Sequence, residues 1–263
     1  MSGRAAAFFD LDKTLMAGSS GMHFARAAAS QGIVSRGQLL RWGRDHLRYR
    51  LRGATDEETR QVLKAARDLI TGVPAVQIDR MGTEVMASIL PHIYPQMLDE
   101  LYSHQDAGRP TFIVSAAGSG VVEPLAGVLG MDGGVGTRYE VDADGTLTGR
   151  FDGPFVYGKG KVEAMQIFAD EHDIDLEVSY AYSDSISDLP MLRAVGNPVV
   201  VNPDPPLLEI AREEGWQTLR FERLGRRMVA IAVTLLATVA GFGGSRIAAR
   251  RKAPPPRRFP ARR

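Results

Sequence analysis

The chain holds 263 residues, 44% hydrophobic and 24% charged, a soluble-globular balance with length for one large domain or two unequal ones. It contains no cysteine, which excludes a disulfide scaffold, a thiol nucleophile, a thiolate zinc site and an iron–sulfur centre. The net charge of +1 conceals an asymmetry: residues 220–263 carry twelve Arg/Lys against one acid, and residues 1–219 carry 20 basic against 30 acidic residues. An acidic body with a basic tail predicts that the tail meets an anionic partner. The chain opens without a basic-then-apolar leader, which with the missing cysteines leads us to expect a cytoplasmic body.

Taken in chain order, residues 5–9 (AAAFF) form a short apolar run ending at Asp10 and predict a buried strand. Residues 111–114 (TFIV), 178–182 (VSYAY) and 198–201 (PVVV) predict three more. Continuous apolar runs suit a parallel sheet covered on both faces. Between the first two runs, helix-like segments cover 22–31, 36–51, 55–70, 75–90 and 95–107, with Thr55 and Glu58 in capping-box spacing. That stretch is too long for a plain crossover and reads as an inserted helical subdomain. Residues 135–151 alternate around Asp144-Gly145 and predict a β-hairpin. Residues 160–172 predict an amphipathic helix.

Three of the four strands end beside a small polar or acidic residue, where open α/β sheets keep their ligand crevice. FFDLDKTL at 8–15 places Asp10 and Asp12 two residues apart just past a strand. Such a pair can divide labour, one acid as nucleophile or metal ligand and the other as proton carrier. Ser115, in FIVSAAGSG (112–120), can bind a phosphate oxygen together with neighbouring N–H groups. GKGKVEAM (158–165) offers Lys159 and Lys161 at a helix start, either able to neutralise a phosphoryl group. Its spacing is not that of a nucleotide P-loop. YSDSISDLPML (182–192) adds Asp184 and Asp188, a second carboxylate pair, and together the acids make an oxygen-rich site suited to Mg²⁺. The five histidines, His23, His46, His92, His104 and His172, show no metal-ligand spacing.

The order FFDLDKTL, Ser115, a Gly-flanked lysine and YSDSISDLP resembles the four motifs of the haloacid dehalogenase superfamily, over about residues 5–220. The resemblance is strongest to its phosphoserine-phosphatase-like branch. It implies a doubly wound parallel-sheet (Rossmann-like) α/β core from residues 1–21 and 106–222, with a helical cap at 22–105 inserted after the first strand. It also implies Mg²⁺-dependent hydrolysis of a small phosphomonoester through an aspartyl-phosphate. Asp10 is the implied nucleophile and Asp12 the acid/base. Ser115 and Lys161 are the implied phosphate binders, Lys161 being preferred to Lys159 because Val162-Glu163 suit the helix start. Asp10, Asp12 and Asp184 are the implied metal ligands, with Asp188 behind the metal or the lysine. The sequence departs from the branch at two positions. Ser19 stands where an amine-reading glutamate is expected, and Ser187 where an asparagine is expected. Hydrolysis of phosphoserine specifically, phosphotransfer to a second acceptor, and a catalytically silent membrane-tethered adaptor are the alternatives.

Residues 228–243 are uncharged between Arg226-Arg227 and Arg246, and residues 253–263 are Pro/Arg-rich. A helix over 228–243 would be about 24 Å long, short of the roughly 30 Å hydrocarbon core. One span would also export eight Arg/Lys against the positive-inside tendency. The segment therefore reads as a cytoplasmic-face membrane contact, its arginines on anionic headgroups, with spanning the membrane and docking on protein left open. No aromatic-interleaved basic platform supports nucleic acid as the partner.

Overall fold

The computed structural model describes residues 3–33, 37, 64, 67, 68 and 70–221. Most of the expected helices 36–51 and 55–70, and the whole apolar segment 228–243, lie outside the described residues.

A six-stranded parallel sheet forms the core. Its strands are β1 (Ala7–Phe9), β2 (Thr111–Gly118), β3 (Gly133–Thr137), β6 (Tyr180–Ser183), β7 (Asn197–Val201) and β8 (Gln217–Leu219), in the order β3-β2-β1-β6-β7-β8. β4 (Tyr139–Val141) and β5 (Leu147–Phe151) form a separate antiparallel pair. The described helices are α1 (Ser20–Ser30), α2 (Ala75–Ile89), α3 (Pro95–Asp106), α4 (Ser119–Val128), α5 (Lys159–His172), α6 (Leu189–Arg193) and α7 (Pro205–Glu213).

All four predicted strands are present. β6 starts two residues later than expected because Leu176–Val178 closes a single 3-10 turn, capped by Asp175, whose side chain accepts from the Glu177 N–H. Two sheet strands were not anticipated. β3 (GGVGT) carries three glycines and no apolar run, and it holds its place by parallel pairing with β2. β8 is exposed at the sheet edge and shows no buried pattern. The hairpin expected over 135–151 is shorter, because residues 133–137 belong to the main sheet and the antiparallel pairing starts at Tyr139.

β1 is the central strand and is fully buried. Its register pairs Phe8 with Phe112 on one side and Ala181 on the other, and Phe9 with Ile113 and Tyr182. Alternation along the strand then divides the core. Phe8 joins Phe112, Val114, Ala181 and Val200, under Met165 and Ala169 of α5, Leu192 of α6 and Leu207 of α7. Phe9 stacks on Tyr182 with ring centroids 4.5 Å apart and meets His104 of α3 edge-on. Helices thus cover both faces, the doubly wound arrangement that the apolar runs predicted.

The long insertion between β1 and β2 leaves the sheet through a closed base. Tyr94 donates its N–H to the Leu15 carbonyl, Ala17 donates to the His92 carbonyl, and Met16 bridges Ile93. α1 and α2 lie beyond that base, whereas α3 lies against the sheet through Met97, Leu101 and His104.

His104 is a core histidine with a defined tautomer. Arg109 donates Nε–H to its Nδ1 at 2.7 Å, so the ring proton sits on Nε2 and donates to the Tyr182 hydroxyl at 2.8 Å. That hydroxyl in turn donates to Glu100 at 3.1 Å. Burial, and secondarily Arg109, lower the imidazole to about 4. The unfolded chain binds that proton near the ordinary value of 6.5. Its contribution to stability is therefore complete above 6.5 and is lost as pH falls toward 4. We expect His104→Gln to remove about 2 kcal/mol of the stability difference between pH 7 and pH 5, read as urea midpoints at the two pH values. An identical pH slope in wild type and variant would contradict the buried neutral imidazole.

Candidate active site

The strand order reverses at β1, with β2 and β3 to one side and β6, β7 and β8 to the other. The carboxyl ends of strands flanking such a switch point form the natural crevice of an open α/β sheet. Asp10 follows β1, Ser115 lies in the last half of β2, and Asp184 follows β6. The three segments are contributed by neighbouring strands although they are more than a hundred residues apart in the first instance.

Lys161 links the crevice. Its Nζ donates to Asp10 Oδ1 at 2.6 Å and to Asp188 Oδ2 at 2.6 Å, with the side chain only 3% exposed. Ser183 donates its hydroxyl to the same Asp188 oxygen at 2.7 Å. Lys159, the competing lysine, is exposed. Local backbone explains the choice. Gly158, the residue before α5, has φ +55°, and a Cβ on Gly160 would collide with the Phe155 carbonyl. Only glycine satisfies both positions, and together they aim the first turn of α5 inward at Lys161.

Asp12 is held differently. Its Oδ1 accepts the Ser20 N–H at 2.8 Å and its Oδ2 accepts the Ser19 hydroxyl at 3.0 Å. Both donors belong to the start of α1, where unpaired N–H groups favour an anion. Ser19 gives its proton to Asp12 instead of capping its own helix. Ser115 is buried, and its oxygen accepts the Ala117 N–H at 3.2 Å, leaving the hydroxyl proton for another acceptor. Asp184 is buried and accepts from Lys13 Nζ at 3.3 Å.

The electrostatics follow from crowding. Burial raises Asp10 to about 8; Lys161 opposes the shift, while Asp188, Asp184 and Asp12 add to it. Burial raises Asp184 to about 7, opposed by Lys13 and reinforced by Asp188. Burial alone would lower the Lys161 ammonium, but Asp10 and Asp188 overcome it and the group stays charged, its pKa above the ordinary value. Three buried carboxyl groups thus face two ammonium groups, and a divalent cation would favour the ionised form of the acids that burial holds protonated. Among the described residues no cluster of three or more His, Asp or Glu side chains forms a protein cage for a metal. A site of one or two carboxylates completed by water is the way Mg²⁺ is usually held, so the donor set fits that ion.

Several site neighbours carried no sequence assignment. Lys13 lies inside the first motif, at φ +60°, a left-handed conformation uncommon for a side-chain-bearing residue. Asp204 accepts the Ile186 N–H at 3.0 Å and the Leu207 N–H at 3.0 Å, tying the loop after β6 to α7. Tyr157, whose hydroxyl is buried and raised by that burial, feels the charges of Asp188, Lys161 and Asp10. Lys13 could have been flagged by its place between Asp12 and Thr14; Asp204 and Tyr157 sit in segments with no motif.

The model of the haloacid dehalogenase-like hydrolases matches residues 7–193. The chain belongs to that family. Within it, relatives named as phosphatases at 36% and 33% identity place the chain in the phosphoserine-phosphatase-like branch and make it a phosphatase. A Mycobacterium tuberculosis protein named as a probable phosphatase is 36% identical over 250 residues, covering 94% of this chain and 86% of the relative. The phosphoserine phosphatase SerB1 of the same organism is 33% identical over 245 residues, covering 92% and 78%. A Bordetella pertussis crystal structure of a protein of unknown function superposes with a TM-score of 0.71 at 31% identity, covering 82% of this chain and 98% of that one.

Proposed function

We propose that the protein hydrolyses a small phosphomonoester, with Asp10 as nucleophile and Asp12 as acid and base. The observation that carries the reading is Lys161, buried and bonded to both Asp10 and Asp188 at the sheet's switch point, with Asp12 two residues beyond Asp10. Lys161 occupies Asp10 Oδ1 and leaves Oδ2 to attack phosphorus. The P–O bond to the leaving group breaks as the Asp10–phosphorus bond forms, and Asp12 delivers a proton to the departing alkoxide. Asp12 then takes a proton from water, whose oxygen attacks phosphorus and releases phosphate and the free Asp10 carboxylate. Ser115 and Lys161 bind the phosphoryl oxygens, offsetting charge where it develops. Asp10, the backbone carbonyl of Asp12, and Asp184 would hold Mg²⁺. Mg²⁺ would supply Lewis-acid neutralisation of the phosphoryl group.

The segment between β1 and β2 that emerges from the Leu15–Ala17 base serves in this reading as the cap that excludes water and selects substrate. Ser19, which donates to Asp12, offers no carboxylate to a substrate amine. The test is a phosphate-release screen of the full chain against amino-acid, sugar, nucleotide and lipid phosphates. We expect turnover of small phosphomonoesters without strong preference for phosphoserine. A clear phosphoserine preference would restore that substrate and place the amine-reading acid elsewhere in the cap. Labelled phosphate appearing on an added alcohol or sugar would identify a transferase instead, and no release from any ester would favour a silent adaptor.

Metal dependence carries its own expectation. Asp184→Ala should raise the half-saturating Mg²⁺ concentration steeply. In the wild type, Asp10 (about 8) and Asp184 (about 7) must shed protons before they can ligate. The Mg²⁺ requirement should therefore rise as pH falls from 8 to 6, by about tenfold per pH unit for each proton displaced. Full activity in excess chelator would contradict the metal assignment.

We also infer that residues 228–243 and the arginines around them seat on an anionic membrane surface, a reading supported by composition alone. Among the described residues no helix is long and apolar enough to cross a membrane. The full chain should pellet with anionic vesicles and a truncation at residue 222 should not. Equal solubility of both at low salt would move the segment to a protein interface.

A further inference from the structure

Between α1 and α2, away from the Asp10–Lys161–Asp188 network, lies a cavity of about 250 Å³ lined by His23, Arg26, Ala27, Glu84, Ser88 and His92. Two of its walls are imidazoles whose tautomers the surrounding hydrogen bonds determine. His92 Nδ1 lies 3.0 Å from the Ser88 carbonyl oxygen, which can only accept, so Nδ1 carries the proton. Ser88 donates its one hydroxyl proton to the Val85 carbonyl at 2.7 Å. The 2.9 Å contact between His23 Nδ1 and Ser88 Oγ therefore has the imidazole as donor. Both rings thus hold their protons on Nδ1 and present Nε2 lone pairs. Among the described residues neither Nε2 has a hydrogen-bond partner.

A histidine that donates its far nitrogen to a carbonyl or hydroxyl is the outer-shell arrangement found behind metal-ligating imidazoles, where it sets ring orientation and raises basicity. Here one residue, Ser88, supplies both acceptors. The separation of the two rings leaves room for a shared ion. The ring centroids are 5.1 Å apart at an interplanar angle of 65°. A tetrahedral ion at about 2.0–2.1 Å from each Nε2 puts two imidazole centroids about 5 Å apart. Arg26 and Glu84 contribute one charge of each sign to the walls, and the Arg26 guanidinium is felt at His23. We propose that His23 and His92 form a second divalent-metal site, distinct from the Mg²⁺ site, for an imidazole-preferring ion such as Zn²⁺, with water completing the coordination. Nitrogen ligands discriminate against Mg²⁺, which keeps to oxygen. The site adjoins the catalytic loop, because Ala17 donates to the carbonyl of His92 itself and His23 is one turn into the helix whose start holds Asp12.

The experiment is Zn²⁺ binding to the full chain in saturating Mg²⁺, followed by competition with a chelating dye. Its readout is binding rather than turnover, so it succeeds or fails independently of the phosphatase reading. We expect one Zn²⁺ bound at micromolar concentration. His23→Asn and His92→Asn should each weaken binding at least tenfold. Ser88→Ala, which keeps the carbonyl for His92 but removes the hydroxyl acceptor of His23, should weaken it about tenfold. His172→Asn, an exposed imidazole on α5, should leave it unchanged. His92 is exposed, so its variant keeps the fold even if His23→Asn does not. The proposal is overturned if the wild type binds no Zn²⁺ in this range, if Mg²⁺ displaces the ion, if His92→Asn keeps wild-type affinity, or if His172→Asn abolishes binding.

Discussion

Asp10→Asn should abolish phosphate release, on the order of 10³-fold or more, while leaving a folded protein. An amide cannot form the acyl-phosphate, and no neighbouring carboxylate occupies the same position at the end of β1. The fold should tolerate the change because the wild-type carboxyl is already buried and raised to about 8, so its charge costs solvation that Asn does not. Lys161 retains Asp188 as an ionic partner at 2.6 Å. The measurement is steady-state release of phosphate from an aryl ester, with thermal unfolding in parallel. Asp12→Asn should differ in kind: both half-reactions slow, and the phosphorylated enzyme accumulates. Hydrolysis by Asp10→Asn at near the wild-type rate would end the assignment.

Lys161→Met should have the largest effect on stability. Lys161 is 3% exposed and is the only ammonium bonded to Asp10 and Asp188 among the described residues. Removing one partner of a buried pair leaves uncompensated charge, at a cost of about 3–5 kcal/mol. The sign with pH follows from Asp10, which burial raises and Lys161 holds down. Once unpaired it takes up its proton still more readily than in the unfolded chain, so the variant's deficit grows as pH rises and shrinks as pH falls. Adding Asp10→Asn to Lys161→Met should recover part of the loss, since one buried charge disappears with it, and the two changes should be non-additive. Urea unfolding of the two single variants and the double variant at pH 6 and pH 8 measures all of this. A loss under about 1 kcal/mol at both pH values would show that the network carries little of the fold's stability.

Fold and site were legible to different depths. β1 is fully buried and β2, β6 and β7 each carry a buried, mostly apolar stretch, so these strands mark themselves in the sequence. Asp10, Ser115 and Asp184 were legible for a related reason: a polar residue at the end of a buried apolar run marks the chain's approach to the crevice. The resemblance to a known family supplied the roles. It also favoured Lys161 over Lys159, but the physical ground for that choice is three-dimensional. Gly160 must pass the Phe155 carbonyl, and Gly158 must turn with positive φ, for the second lysine to enter.

The sequence by itself determined the strand-end chemistry, the doubly wound class and the acidic body with its basic tail, because these depend on local composition and period. Only the tertiary structure decided the rest. β3 is a glycine-rich strand that exists because β2 offers it a ladder of hydrogen bonds, and β8 pairs along β7 with no apolar pattern of its own. His104 looked like any helix histidine until α3 packed it beneath Phe9 and Tyr182. His23 and His92 are 69 positions apart and show no ligand spacing, yet the closed base of the insertion and the antiparallel course of α1 and α2 bring both to Ser88. Pairing, burial and tautomer are properties of neighbours in space, and a single chain's periodicity carries no information about which distant residue that neighbour will be.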